Sequence, residues 1–114
     1  MEACVFCRIA QHQLPAELLS ETDDLVAFKD LHPKAPVHVL IIPKQHIPKL
    51  SDLTESTAAI LTKATMLANQ LAKRLGIAEQ GYRVVLNCGE QAGQSVWHLH
   101  LHLLGGRALA WPPG

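Results

Sequence analysis

The stretch Trp97-His98-Leu99-His100-Leu101-His102-Leu103-Leu104 places a histidine at every second position. A period of two is that of a β-strand. His98, His100 and His102 are therefore expected on one face, with Trp97, Leu99, Leu101 and Leu103 on the other, against a core. The strand is read over residues 96–104, broken by Gly105-Gly106. Imidazoles bind metals, attack phosphorus and move protons near neutral pH, so three in phase point to chemistry rather than to packing. Same-face neighbours on a strand lie roughly 7 Å apart, which separates His98 from His102 by roughly 13 Å at the backbone. Zinc draws its ligands to about 2.1 Å, so all three on one metal would be strained and the row is expected to divide its labour. A zinc hydrolase with His-x-His-x-Asp-His is a poor match, because Leu103 and Leu104 stand where its carboxylate and extra histidine belong. A row that cradles a phosphate while one histidine attacks it fits better. The loop before it carries Gly89, Gly93 and Ser95, which can bring backbone N–H groups and a hydroxyl to an anion.

Working outward, residues 4–13 suit a short helix stopped at Pro15, and residues 16–21 and 25–30 read as strands around the turn Thr22-Asp23-Asp24. The apolar, β-branched run 37–42 predicts a buried strand ending at Pro43. Ile60, Ala64, Leu67, Ala68, Leu71 and Leu75 form a stripe at helical spacing, which predicts a long helix over 53–75. Asp52 with Glu55 resembles a capping pair for it, and Gly76 a stop. Residues 82–87 predict a further strand, followed by a loop over 88–94. Short helix, three strands, long helix and two strands, with neighbouring strands joined by short turns, favour one α+β domain over 1–114 with a mainly antiparallel sheet.

Ten Lys+Arg balance ten Asp+Glu, which argues against non-specific nucleic-acid binding but not against a small phosphorylated ligand. No aliphatic run is long enough to cross a bilayer. The first four residues carry neither the basic nor the apolar region of a secretion signal, and three cysteines make an odd count. Reduced thiols in the cytoplasm are therefore expected. Cys4-Val5-Phe6-Cys7 has the spacing of half a zinc knuckle; a redox pair and two packing cysteines are the alternatives, and His46 and His98 could complete a metal site. Cys88 reads as a loop or packing residue. His38, inside an apolar strand, needs a hydrogen-bond partner if buried. Asp30, where a strand meets the loop 31–36, could cap the turn or bind a pair of sugar hydroxyls, and spacing alone favours the turn.

These residues resemble the histidine triad (HIT) family, and within it the HINT branch. The likeness rests on His98-Leu99-His100-Leu101-His102-Leu103-Leu104, with Gly93-Gln94-Ser95-Val96 before it and Gly105-Gly106-Arg107 after it. It extends to the runs 30–38 and 42–47 and to the ending Trp111-Pro112-Pro113-Gly114, which points to HINT proteins rather than to dinucleoside-polyphosphate hydrolases. The resemblance implies a HIT-like fold, a five-stranded antiparallel sheet with one long and one short helix, joined into a ten-stranded sheet in a homodimer. It implies hydrolysis of purine nucleoside 5′-phosphoramidates of the AMP-amine type through a nucleotidyl-histidine intermediate. A nucleotide-binding scaffold and a dinucleoside-polyphosphate hydrolase are the rival functions. Carried over, His100 resembles the nucleophile, His102 a phosphate contact, His38 its supporting histidine and Ser95 a donor near the leaving nitrogen. Asn87 and Gly93 resemble phosphate-loop groups, and Asp30 the ribose-binding acid. Val5, Phe6, Ile9, Phe28 and Leu31 resemble the apolar slot for the base of AMP or GMP. Trp111 resembles a tail residue that reaches the neighbouring subunit. Cys4, Cys7, His46 and His98 match the structural zinc set of some members. No catalytic metal, organic cofactor, nucleic acid or membrane partner is implied.

Overall fold

A seven-residue strand, Val37–Pro43, runs through the middle of a five-stranded sheet, and its alternating side chains define the two layers of the domain. The computed structural model describes residues 3–114; the first two, part of the stretch read above for a secretion signal, lie outside it. In chain order the elements are α1 (Val5–Ala10), β1 (Leu18–Glu21), β2 (Leu25–Lys29), β3 (Val37–Pro43), α2 (Ala59–Arg74), β4 (Tyr82–Val85) and β5 (Leu101–Gly105). The strand order is β1-β2-β3-β5-β4, antiparallel throughout. This is the expected α+β fold with one long and one short helix.

Leu25 and Ala27, Val39 and Ile41, and Leu101 and Leu103 face α2, where Leu67, Ala68 and Leu71 complete the main core. On the opposite face Val26, Phe28, Leu40 and Ile42 meet Phe6 and Ile9 of α1. β3 is thus covered on both sides, which explains its continuous apolar run. His38 and His102 share the α1 face of the sheet, because Leu40 pairs with His102 and His38 with Leu104. Each histidine is the other's diagonal neighbour across the two strands, a separation that ring side chains bridge.

Several boundaries differ from the expected ones. The long helix starts at Ala59, not residue 53, and neither Asp52 nor Glu55 caps it. Residues 50–52 form a separate 3-10 turn, and the Thr57 hydroxyl accepts the Thr54 N–H at 2.9 Å. Such threonine turns offer the backbone an alternative to helix. The far end follows expectation: Gly76 N–H donates to Lys73 O and Ile77 N–H to Ala72 O, a paired Schellman closure. β4 ends at Val85, and β5 begins only at Leu101. The intervening residues 86–100 are not a short hairpin turn; β5 inserts between β3 and β4 instead. Gly105 is the last residue of β5, paired with Val37 and Tyr82. A Cβ there would stand 2.6 Å from Ile77 Cδ1, so the segment after α2 can pack on the strand only at a glycine. Among the described residues, no helix is long and apolar enough to cross a membrane.

Candidate functional site

The histidine row leaves the sheet before it is complete. Only His102 lies in β5; His98 and His100 precede it in an irregular segment. Leu99 N–H donates to Ile47 O at 2.6 Å instead of to a neighbouring strand. Leu99, Leu101 and Leu103 are buried as the alternation requires, but Trp97 is 47% exposed, contrary to expectation, because the chain bends there. The bend carries His98 to the cysteines. The three imidazoles therefore occupy three environments.

His98 is fully buried. Its Nε2–H donates to Pro43 O at 2.7 Å, which leaves Nδ1 as the bare nitrogen. That nitrogen lies 3.3 Å from Cys4 Sγ, 3.4 Å from Cys7 Sγ and 3.2 Å from His46 Nδ1, and Cys7 Sγ lies 3.2 Å from His46 Nδ1. Tetrahedral zinc with ordinary Zn–N and Zn–S bonds spaces its ligand atoms by about 3.3–3.8 Å. The four residues therefore fit such an ion, and the Pro43 carbonyl supplies the outer hydrogen bond that orients a ligating imidazole. Burial, reinforced by the Cys4 thiol, raises the Cys7 thiol to about 11, so it needs a cation to hold it as thiolate. Burial lowers His98 to about 4, leaving it neutral, as a metal ligand must be. Cys88 is not in this group; its thiol lies 3.7 Å from the Ser51 hydroxyl, with its pKa lowered mainly by the Ser51 backbone N–H.

His100 points its Nδ1–H at the His98 carbonyl oxygen, 2.7 Å away. A carbonyl only accepts, so Nδ1 carries the proton and Nε2 is free. The Phe6 ring stands edge-on to His100 with centroids 5.1 Å apart, and to His98 at 6.0 Å. His102 belongs to a second chain of contacts. Lys34 N–H donates to His38 Nδ1 at 3.1 Å, so His38 bears its proton on Nε2 and donates it to His102 Nδ1 at 2.9 Å. Asp30 Oδ2 stands 3.4 Å from the same His38 nitrogen. The His102 proton must then sit on Nε2. Burial lowers His102 to about 4, with the neighbouring imidazoles adding to the effect. Burial likewise lowers His38, opposed by the Asp30 charge. Asp30 also caps the turn, since Oδ1 accepts His32 N–H at 2.8 Å. The turn reading of Asp30 thus holds: one oxygen fixes the loop, and the other faces the relay.

A cleft of about 330 Å³ opens over this layer. Phe6, Ile9, Phe28 and Leu31 line its apolar part, and Asp30, Ser95, His100 and His102 its polar part. The expected base slot, acid, hydroxyl and two of the three histidines thus meet at one opening. Val5 joins the wall as anticipated, while Ala16, Leu40 and Val96 were not singled out; apolar residues carry no chemical signature in sequence. His38 sits behind His102. Asn87 and Gly93 do not line the cleft. Gly93, at φ +95°, closes the 3-10 turn Glu90–Ala92 in a conformation that favours glycine, so its visible task is the loop's shape. Trp111 is 81% exposed, and the tail is tied back where Arg83 donates to Ala110 O at 2.8 Å.

The HIT domain family matches residues 11–109. An uncharacterized HIT-like protein of Synechocystis sp. is 47% identical over 113 residues, covering 99% of this chain and 98% of that one. A HIT family hydrolase from Legionella pneumophila superposes with a TM-score of 0.95 at 46% identity, over 97% of this chain and 99% of the other. More distant structures include a histidine triad nucleotide-binding protein from Candida albicans, with a TM-score of 0.81 at 33% identity over 96% and 83% of the two chains. A zinc-bound histidine triad family protein from Mycobacterium smegmatis gives 0.80 at 30% identity over 93% and 76%. With these likenesses spanning nearly its whole length, the chain belongs to the HIT family.

Proposed function

We propose that this protein hydrolyses purine nucleoside 5′-phosphoramidates, as a member of the HINT branch. The observation that carries the reading is His100: its Nδ1–H is committed to the His98 carbonyl, and the free Nε2 belongs to a ring that lines the cleft. An imidazole held this way, with Nε2 bare, is a nucleophile aimed by the main chain two residues earlier. Nε2 attacks the α-phosphorus, the P–N bond breaks, and the amine leaves with a proton. Water then attacks the nucleotidyl-histidine, releasing the nucleoside monophosphate and freeing His100. Dividing the displacement in two lowers each barrier.

His102 presents Nε2–H to a phosphate oxygen, with His38 and Asp30 holding its tautomer. Stabilising charge that develops on phosphorus is where such fixed donors act most strongly. Ser95 stands near the leaving nitrogen and relays its proton. Asp30 receives the ribose hydroxyls, and the base of AMP or GMP lies among Phe6, Ile9, Phe28 and Leu31. Asn87 and Gly93 shape the phosphate loop. Cys4, Cys7, His46 and His98 are assigned to a structural zinc, which would fasten α1 and its Phe6 to the sheet; no step of the reaction runs through it. A reducing cytoplasm would keep both thiols available. The open edge of β4, last in the strand order, is assigned to a homodimer. The hydrolase from Legionella and the nucleotide-binding protein from Candida support the reading by likeness.

The deciding experiment measures AMP release from an adenosine 5′-phosphoramidate beside a diadenosine polyphosphate. Preferential cleavage of the phosphoramidate is expected. Preference for the polyphosphate, or AMP binding without turnover of either, would overturn the proposal.

A further inference from the structure

Gln94 is a buried amide in a loop of otherwise exposed or half-buried residues. It is 5% exposed, while its neighbour Ser95 is exposed and lines the cleft. Its side chain makes three hydrogen bonds. Oε1 accepts Gly89 N–H at 2.9 Å, and Nε2 donates to Pro48 O at 2.8 Å and to Val96 O at 3.1 Å. The reverse orientation would set the amino group against an N–H and the carbonyl against two carbonyls, so the assignment is unambiguous. The Gln94 backbone N–H also donates to Gly89 O at 3.1 Å, so one residue grips both ends of Gly89.

Two consequences follow. Residues 89–94 close into a ring around their 3-10 turn. Ser95 is flanked by Gln94 and by the Val96 carbonyl that Gln94 holds, with Pro48 anchoring the amide to the segment that carries His46. Since residues 86–100 lie outside the strand ladder, side-chain bonds must do here what pairing does in β5.

We propose that Gln94 is a positioning residue, which fixes Ser95 against the leaving group rather than contacting substrate itself. This rests on the reading of Ser95 as proton donor to the leaving nitrogen. Leaving-group dependence separates that role from simple support of the fold. A basic alkylamine must be protonated as it departs, whereas a p-nitrophenolate need not be.

The test compares the wild type with Gln94→Met, Gln94→Glu, Ser95→Ala and the double variant Gln94→Met/Ser95→Ala. Two substrates are used: an AMP alkylphosphoramidate and the p-nitrophenyl ester of AMP. Gln94→Met and Ser95→Ala are each expected to lower kcat on the phosphoramidate roughly 10–100-fold, the scale set by misplacing a reacting group by about 1 Å. On the ester, kcat should change less than about 3-fold, and AMP Kd should hold within the same factor. The double variant should be no worse than its more damaged parent, because both lesions remove one function. Gln94→Glu keeps the acceptor for Gly89 but loses both donated bonds, and should repeat the pattern. Equal losses on both substrates, multiplying losses in the double variant, or loss of AMP binding in both Gln94 variants would make Gln94 a residue of the fold and overturn the proposal. A wild type inactive on the phosphoramidate would refute the functional reading itself and this inference with it.

Discussion

His98 and His102 stand at the two ends of one short row, yet each is built into a different kind of cluster. His98 is sealed among two thiols and another imidazole, with its second nitrogen bonded to a main-chain carbonyl. His102 meets an imidazole backed by a carboxylate, and it lines the cleft. The first cluster has soft donors and little access to water, which suits a structural metal. The second is a hydrogen-bonded relay with one proton aimed outward, which suits an anion. His100 lies between them, bonded to the backbone of the first and beside the ring of the second at 5.0 Å. His98 and His102 both carry the proton on Nε2. Their chemistry differs because thiols and an imidazole surround the bare nitrogen of one, while a donating imidazole satisfies that of the other and leaves its N–H for the cleft.

Removing the middle residue should have the largest effect. His100→Ala is expected to lower phosphoramidate turnover by at least about 10³-fold, with AMP affinity little changed. Steady-state assays beside AMP titration check this; near-wild-type turnover would break the assignment of the nucleophile. Next comes the relay. His38→Leu leaves His102 Nδ1 without its donor and should lower kcat roughly 10–100-fold while zinc content stays unchanged. Metal analysis of that variant tests whether the two clusters are separate.

On the other side, Cys4→Ser should abolish an expected stoichiometry of about one zinc per chain and lower Tm by at least about 5 °C. Elemental analysis with thermal melts decides it, and metal-free wild-type protein would favour two packing thiols.

The smallest expected effect is a pH trend. Burial holds His102 near 4 in the fold, against about 6.5 in an unfolded chain. The unfolded state thus binds the proton first. The His102 contribution to stability is complete above about pH 6.5, declines as pH falls toward 4, and changes no further below that. His38 is shifted in the same direction. Tm measured from pH 7 to 4 should fall, with a shallower slope in His102→Gln.

The alternation of leucine and histidine correctly identified the buried residues Leu99, Leu101 and Leu103, because side-chain period depends only on local backbone geometry. It failed at Trp97, where a hydrogen bond from Leu99 to distant Ile47 replaces strand pairing. The α2 stripe was legible for the same local reason, whereas its start was misplaced because Thr54 and Thr57 close their own turn. Gln94 entered only as part of the family likeness, and nothing in its own chemistry marked it as buried. A glutamine in a glycine-bearing loop looks solvated, and its burial arises from Pro48, remote in sequence.

By itself, the sequence determined the α+β class, the apolar layers and the residue types of both clusters. These follow from periodicity, from turn chemistry and from what imidazole, thiolate and carboxylate can bind. Only the tertiary structure decided which nitrogen of each histidine is free, that His38 lies diagonal to His102, and that Asp30 divides its two oxygens between a turn and a relay. Those features depend on β5 inserting between β3 and β4, and on carbonyls such as Pro43 O and His98 O arriving within hydrogen-bond distance. Long-range placement of acceptors sets a tautomer, and one-dimensional spacing holds no record of it.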